Sequence, residues 1–181
     1  MILHQYKIVF GGAMGAGKSS AIQTLSDIPV FSTEVPNTDI DAHQKELTTV
    51  GIDYGEISLD SGVKVGLYGT PGQERFDFMW PLLCQGAIGA IILIDHSSHS
   101  ALNALEFYVK RFKSYTETIV IGVTHIDGRI GVSAEIYHQW LYKNDYDFPL
   151  FFVDARNKDD VLLLAETLMT TVEMKTDLAY L

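Results

Sequence analysis

"QYKIVFGGAMGAGKSS", Gln5 to Ser20, decides how the rest of the chain is understood. An apolar run, Gln5 to Phe10, has the character of a buried strand and ends in glycines. Residues Lys18 to Leu25 then suit a helix. Between the two, Gly12-Ala13-Met14-Gly15-Ala16-Gly17-Lys18-Ser19 matches the spacing G-x-x-x-x-G-K-[ST]. Glycines at these positions let the backbone bend until successive N–H groups point inward, which makes a cradle for phosphate oxygens. The helix N-terminus adds partial positive charge. The expected phosphate contacts are therefore Gly12, Ala13, Met14, Gly15, Ala16, Gly17, Lys18, Ser19 and Ser20. Lys18 reaches for the β- and γ-phosphates, and the Ser19 hydroxyl suits Mg²⁺.

Beyond this loop, short apolar runs alternate with helical segments. Ile28 to Thr48 is polar, contains Pro29 and Pro36, and has no clear period, so it is expected to be a loop. "YGEISLD" and "VKVGLY" flank Ser61-Gly62 as the arms of a hairpin. "AIGAIILID", Ala87 to Asp95, is continuously apolar, as in a strand covered on both faces. Leu102, Leu105, Val109 and Phe112 form one helical stripe. "TIVIGVT" and "PLFFVDA" are two further buried strands. Ser133 to Tyr142 and Asp159 to Glu173 have helical character, with Asp159 placed to help start the second. No repeat or linker divides the chain. The pattern predicts one α/β domain over residues 1–181, with a mostly parallel sheet and one antiparallel hairpin near its start.

Composition narrows the partners. Lys and Arg number 13 against 23 Asp and Glu, and the net charge of −10 repels phosphate backbones and anionic lipid. Nucleic acid is therefore not an expected partner. A bound nucleotide has to be held by local positive features against that global field. No apolar run reaches the ~18 residues of a membrane helix. Neither terminus carries a signal core or a lipidation motif, so no intrinsic membrane anchor is expected. Cys84 is the only cysteine, which leaves no disulfide framework. These features predict a cytoplasmic protein, with any membrane recruitment running through partners.

Phosphate loops serve ATPases, GTPases and small-molecule kinases alike, so the base must be read elsewhere. "IGVTHID" ends in Thr124-His125-Ile126-Asp127. A carboxylate at Asp127 can accept two parallel hydrogen bonds from guanine N1–H and its exocyclic amine, a pair that adenine does not offer. The alternative is an ordinary polar turn at a strand end.

Taken together, these segments resemble the Ras-like small GTPases. "GGAMGAGKSS" is similar to their first motif, and "TTVGIDYG" to the first switch of Rab and Arf proteins. "TPGQERF" resembles the second switch, and "THID" the T-K-x-D variant of the guanine motif. "DAR", Asp154-Ala155-Arg156, sits where the family has S-A-K. The resemblance implies a six-stranded, mostly parallel sheet with one antiparallel edge hairpin and helices on both faces. It implies GTP or GDP as ligand and Mg²⁺ held by Ser19 and Thr49. It assigns the guanine to Thr124, His125, Asp127, Ala155 and Arg156, with the Ala155 N–H facing O6 and the His125 ring in place of the usual lysine. Within the superfamily the prokaryotic MglA-like branch, including GTPases of conservon-type clusters, carries "GTPGQERF" with the same glycine. That branch implies a Roadblock/LC7-domain protein as activator or regulator.

Gly69 stands where most of the superfamily has an aspartate that steadies Mg²⁺. Asp95, at the end of an apolar run, is one conceivable replacement, though its position favours capping the next loop. Asp53 is another, with an exposed strand position as the plainer expectation. Gln73 follows Gly72, and the resemblance makes it the residue that orients the attacking water; Gln73 and Lys18 are thus the expected catalytic residues. Gly72 N–H would contact the γ-phosphate. No arginine lies between Ser19 and Gly72. An arginine acting on the transition state must come from Arg75 or a partner, and Arg75 is otherwise expected to pair with Glu74 or Asp77. Phe76, Phe78, Met79 and Trp80 are too many large apolar residues for one buried stripe, which leaves them open as an effector surface or as core. The reading that follows is a slow GTPase switch; the competing ones are a non-hydrolysing nucleotide-binding scaffold and a small-molecule kinase.

Overall fold

The computed structural model describes residues 5–33, 51–59, 62–126 and 134–178. Its strands are β1 (Gln5–Gly11), β2 (Phe31–Ser32), β3 (Asp53–Ser58), β4 (Lys64–Gly69), β5 (Gly89–Asp95), β6 (Ile119–Thr124) and β7 (Leu150–Phe152). They form one sheet in the order β2-β3-β4-β1-β5-β6-β7. β2 and β3 run antiparallel, as do β3 and β4; every other pairing is parallel. The sheet thus has seven strands rather than six. The additional one is a two-residue edge at Phe31-Ser32, inside the polar stretch expected to be a loop. Residues 34–48 of that stretch lie outside the described residues, as do Ser61 of the hairpin turn and Ser133 of a predicted helix.

The helices are α1 (Lys18–Leu25), α2 (Trp80–Cys84), α3 (Ala101–Phe112), α4 (Glu135–Lys143) and α5 (Lys158–Leu178), with a 3₁₀ turn over Glu74–Met79. They cover both faces because the central strands are apolar on both. Ile8 and Phe10 of β1, with Ile91 and Leu93 of β5, pack under α1 and α5 against Ile22, Leu25, Val161 and Leu164. Val9 and Ile92, pointing the other way, pack under α2, α3 and α4 against Trp80, Leu105, Phe112 and Tyr137. This is the period-2 alternation of a strand filling two cores at once. In α3 the buried stripe includes Tyr108, which apolar spacing alone overlooked. At the start of α5, Asn157 Oδ1 accepts from Asp159 N–H at 2.9 Å, and Asp160 reaches back to Asp154 N–H at 2.7 Å. The cap is therefore Asn157 rather than Asp159.

Chain order places the site. After β1 the chain moves to one side of the sheet, building β2, β3 and β4; after β4 it crosses to the other side for β5, β6 and β7. The carboxyl end of β1 is where strand order reverses, and such a point leaves a crevice between diverging loops.

Candidate functional site: a phosphate loop and its flanking cleft

The loop from Gly12 to Gly17 leaves β1 at that crevice and runs into α1. Gly12 has φ +143°, and a Cβ there would come 2.3 Å from the Leu93 carbonyl oxygen. No other residue fits that close approach. Gly17, at φ +99°, caps α1 in the left-handed region. The first turn of α1 contains no acidic residue of its own. Lys18 is buried, and its ammonium donates to the carbonyls of Gly12 and Ala13, both at 2.7 Å. Burial pulls its pKa down to about 8, partly opposed by the charge of Asp53. An anionic phosphate within reach of that ammonium would favour its charged form.

Ser19 is next. Its hydroxyl lies 2.5 Å from Asp53 Oδ2, and the Ser32 hydroxyl donates to Asp53 Oδ1. Asp53 is only 5% exposed. The expectation of an exposed strand residue is therefore corrected. Asp53 begins β3 directly opposite Gly69, on the face turned toward α1. A serine hydroxyl beside a carboxylate is a hard oxygen set of the kind Mg²⁺ accepts, and Mg²⁺ takes its other ligands from phosphate and water. These residues fit the ion. Asp95 is used elsewhere: its Oδ1 accepts from Ser97 N–H at 2.8 Å and from the Ser97 hydroxyl at 2.6 Å, closing its own loop.

The segment after β4 is tied to the same loop. Thr70 donates from N–H (2.9 Å) and hydroxyl (3.0 Å) to the Phe10 carbonyl. Gly72 lies so near that a Cβ there would meet Met14 N at 2.5 Å. Tyr108 of α3 donates to the Gly72 carbonyl at 3.3 Å. Gln73 follows, with its Nε2 3.9 Å from the Met14 sulfur and its Oε1 accepting from Arg75 Nε at 2.8 Å. Arg75 thus contacts Gln73 and also covers the Phe76 ring at 4.9 Å, while Asp77 pairs with Arg111. The four large apolar residues divide. Trp80 is fully buried, stacked on Tyr108 at 5.4 Å. Phe76 and Met79 are half-buried, and Phe78 is 71% exposed, as is Leu82 beyond them at 69%.

At the other end of the crevice a cavity is lined by Gly17, Ser20, Thr124, His125, Ala155 and Arg156, among others. Thr124 lines it, but its hydroxyl is engaged: it lies 2.9 Å from the Ala16 carbonyl and 3.3 Å from the Ile94 carbonyl. It holds the phosphate loop against β5 and β6 from the wall of that cavity. His125 takes φ +57° and sits with its Nδ1 2.9 Å from the Thr124 hydroxyl and 3.5 Å from Asp95. Thr24 of α1 donates to the Ala155 carbonyl at 3.0 Å, which fixes that peptide at the cavity wall. Arg156 grips Asp154 through two nitrogens, and this hydrogen bonding holds the Asp154 carboxyl down at about 2. Asp127 and Thr49 lie outside the described residues. Sequence reasoning missed the roles of Ser32 and Tyr108, which no motif marks.

A strand-loop-helix phosphate cradle at a sheet's switch point, an antiparallel hairpin on one side and a second turn over the loop define the architecture of a Ras-like small GTPase. The chain belongs to that superfamily: the family described as Ras of Complex, Roc, domain of DAPkinase matches residues 7–127. Among curated proteins it is similar to Ras-related protein Rab-7b of Mus musculus, 26% identical over 170 residues, covering 90% of this chain and 79% of that one. It is similar to Ras-related protein RABA1c of Arabidopsis thaliana, 26% identical over 119 residues, 64% of this chain and 50% of that one. Ras-related protein Rab-18 of Lymnaea stagnalis is 27% identical over 115 residues, 64% and 52%. The chain thus spans about half the length of several relatives it matches. Among the described residues no helix is long and apolar enough to cross a membrane.

Proposed function

We propose that the chain is a guanine-nucleotide switch that hydrolyses GTP slowly by itself and signals to a protein partner. The observation that carries this reading is the seating of Gly72 and Gln73 against the phosphate loop, Gly72 almost touching the Met14 amide. A γ-phosphate arriving at that loop must meet this segment. Binding GTP, and losing phosphate after hydrolysis, then changes what the segment packs on. Lys18 supplies charge to the β- and γ-phosphates. Ser19, with Thr49 on sequence grounds, holds Mg²⁺, which neutralises charge on the transferring group. Asp127 selects guanine, and Ala155 and Arg156 close the base end. Gln73 orients water once released from Arg75 and Met14. That release, together with reliance on a positive group from outside the site, makes unaided turnover slow; an arginine of this kind is worth ~10³–10⁵ in rate.

The partner surface is the exposed side of the turn after Gln73. Phe78, Leu82 and Tyr115 line one open groove there, while buried Trp80 anchors the turn from below. Resemblance to the MglA-like branch makes a Roadblock/LC7-domain protein the first candidate. The reading places the protein in the cytoplasm, with membrane recruitment through partners.

The experiment is chromatography of the nucleotide released from purified protein, followed by single-turnover GTP hydrolysis with saturating Mg²⁺. The expected results are guanine nucleotide, a slow parent rate, and a Gln73→Leu rate lower by tenfold or more with affinity retained. Equal rates for parent and Gln73→Leu, alone and with a Roadblock-type protein, would support the non-hydrolysing scaffold instead.

A further inference from the structure

Gly69 ends β4 facing α1 and the phosphate loop, and β3 brings a carboxylate to the same spot. The two positions are direct partners in the antiparallel ladder. A Cβ built on Gly69 would lie 3.2 Å from Asp53 Cβ and 3.3 Å from Asp53 Oδ2, with Ile22 Cδ1 at 3.0 Å. The Asp53 side chain fills the space that a side chain at position 69 would enter. Its described hydrogen bonds come from two hydroxyls, Ser19 and Ser32. Hydroxyls solvate a buried carboxylate without neutralising it, and the Asp53 charge already acts on one nearby cation, the Lys18 ammonium.

We propose that Asp53 performs, from the neighbouring strand, the task of the carboxylate absent at position 69: it orients the Ser19 hydroxyl and places negative charge beside the Mg²⁺ of a bound nucleotide. By accepting the Ser19 proton through Oδ2, it leaves the serine oxygen's lone pairs to face the ion. Through Oδ1 it is held by Ser32, which fixes the carboxylate's rotation. Asp53 is a positioning residue, and groups of this kind change metal affinity ~10–100-fold when removed. The inference rests on the magnesium-nucleotide reading above.

The test follows release of a fluorescent GDP analogue from the full chain across a Mg²⁺ titration, for the parent, Asp53→Asn, and Asp53→Gly combined with Gly69→Asp. In the parent, release slows as Mg²⁺ rises. Asp53→Asn is expected to need ~10–100-fold more Mg²⁺ for the same slowing, with release in EDTA unchanged. In the double variant two of the three atoms crowding position 69 are gone, and the Mg²⁺ requirement is expected to return to within a few-fold of the parent. A parent-like Mg²⁺ midpoint for Asp53→Asn overturns the proposal. So does faster release in EDTA as well as in Mg²⁺, which marks a merely structural role. Should Asp53→Asn fail to fold, the double variant decides, since a Mg²⁺ requirement tenfold or more above the parent's overturns the proposal. Parent release indifferent to Mg²⁺ removes the magnesium-nucleotide reading and this inference with it.

Discussion

The two ends of the cleft are built by opposite means. At the phosphate end the groups are buried and interlocked: Lys18, Asp53 and Thr70 are each less than a tenth exposed. Backbone carries much of the chemistry there, through inward N–H groups and carbonyls that park the lysine. At the base end the wall is mixed: Thr124 and Ala155 are buried, but Ile126 is 36% exposed and the side chains of His125 and Arg156 are 45% and 71% exposed. The difference teaches where specificity is adjustable. On the proposed reading, phosphate recognition is welded into the core, so changing it endangers the fold, while base recognition rests on a few residues at strand ends.

The largest effect is expected from Lys18→Ala. Removing a charge aimed at two phosphates should weaken triphosphate binding by at least a hundredfold, measured by titration with a fluorescent GTP analogue. Because Lys18 is buried with its ammonium on two carbonyls, thermal melting should accompany the titration; a folded variant that binds like the parent would break the comparison at its stronger end.

Asp127→Asn comes second. Its amide cannot accept both guanine donors, and a hydrogen bond to a charged group is worth ~1.5–3 kcal/mol. Guanine affinity should fall roughly ten- to a hundredfold and preference over adenine should vanish, checked by competition between GTP and ATP. Melting of the variant should be followed alongside, so that loss of preference is separated from loss of fold.

A third prediction concerns pH. Burial brings Lys18 from 10.5 down to about 8. Between those values the unfolded chain holds a proton that the native one lacks. This group therefore adds relative stability as pH rises through that window. Phosphate binding needs the charged form, so above pH 8 it must draw a proton in. Nucleotide affinity should decline by up to tenfold per pH unit there, with proton uptake detected by calorimetry in buffers of different ionisation enthalpy. A flat profile from pH 7.5 to 9.5 would contradict it.

The smallest effect is assigned to His125→Ala. Loss of a ring over the base is worth ~0.5–1.5 kcal/mol, a two- to tenfold loss of GDP affinity without change in Mg²⁺ dependence. A much larger loss would show that the base end carries more of the binding than its exposure implies.

The strands, the phosphate loop and the helices under both faces were legible because each is a local pattern: an apolar run, a fixed spacing, a stripe. Asp53 was not, because its role depends on register. A two-residue turn at Ser61-Gly62 would set Asp53 opposite Thr70 and turn it to the other face. Leu59 instead bonds to Val63, three residues separate the arms, and Asp53 meets Gly69. One residue of turn length thus decides which face of the sheet carries the carboxylate. Phe31-Ser32 was hidden for a related reason: two residues show no period, and only pairing with Asp53 and Tyr54 makes them a strand. Tyr108 was hidden because its polar tip matters only once the segment after β4 folds over it.

The Thr124 hydroxyl, placed between the carbonyls of Ala16 and Ile94, has a consequence for how ligands are measured. It makes the cleft a calliper with fixed jaws. On the proposed reading, the turn that meets the base and the loop that meets the phosphates hang from one rivet, a shared tie that opposes change in their span. Under that reading a nucleoside seated at one jaw would deliver its phosphates to the other at high local concentration, since the Thr124 hydroxyl ties the two together. Base and phosphate fragments given separately would forgo that advantage, and the whole nucleotide would be held far more tightly than its parts suggest.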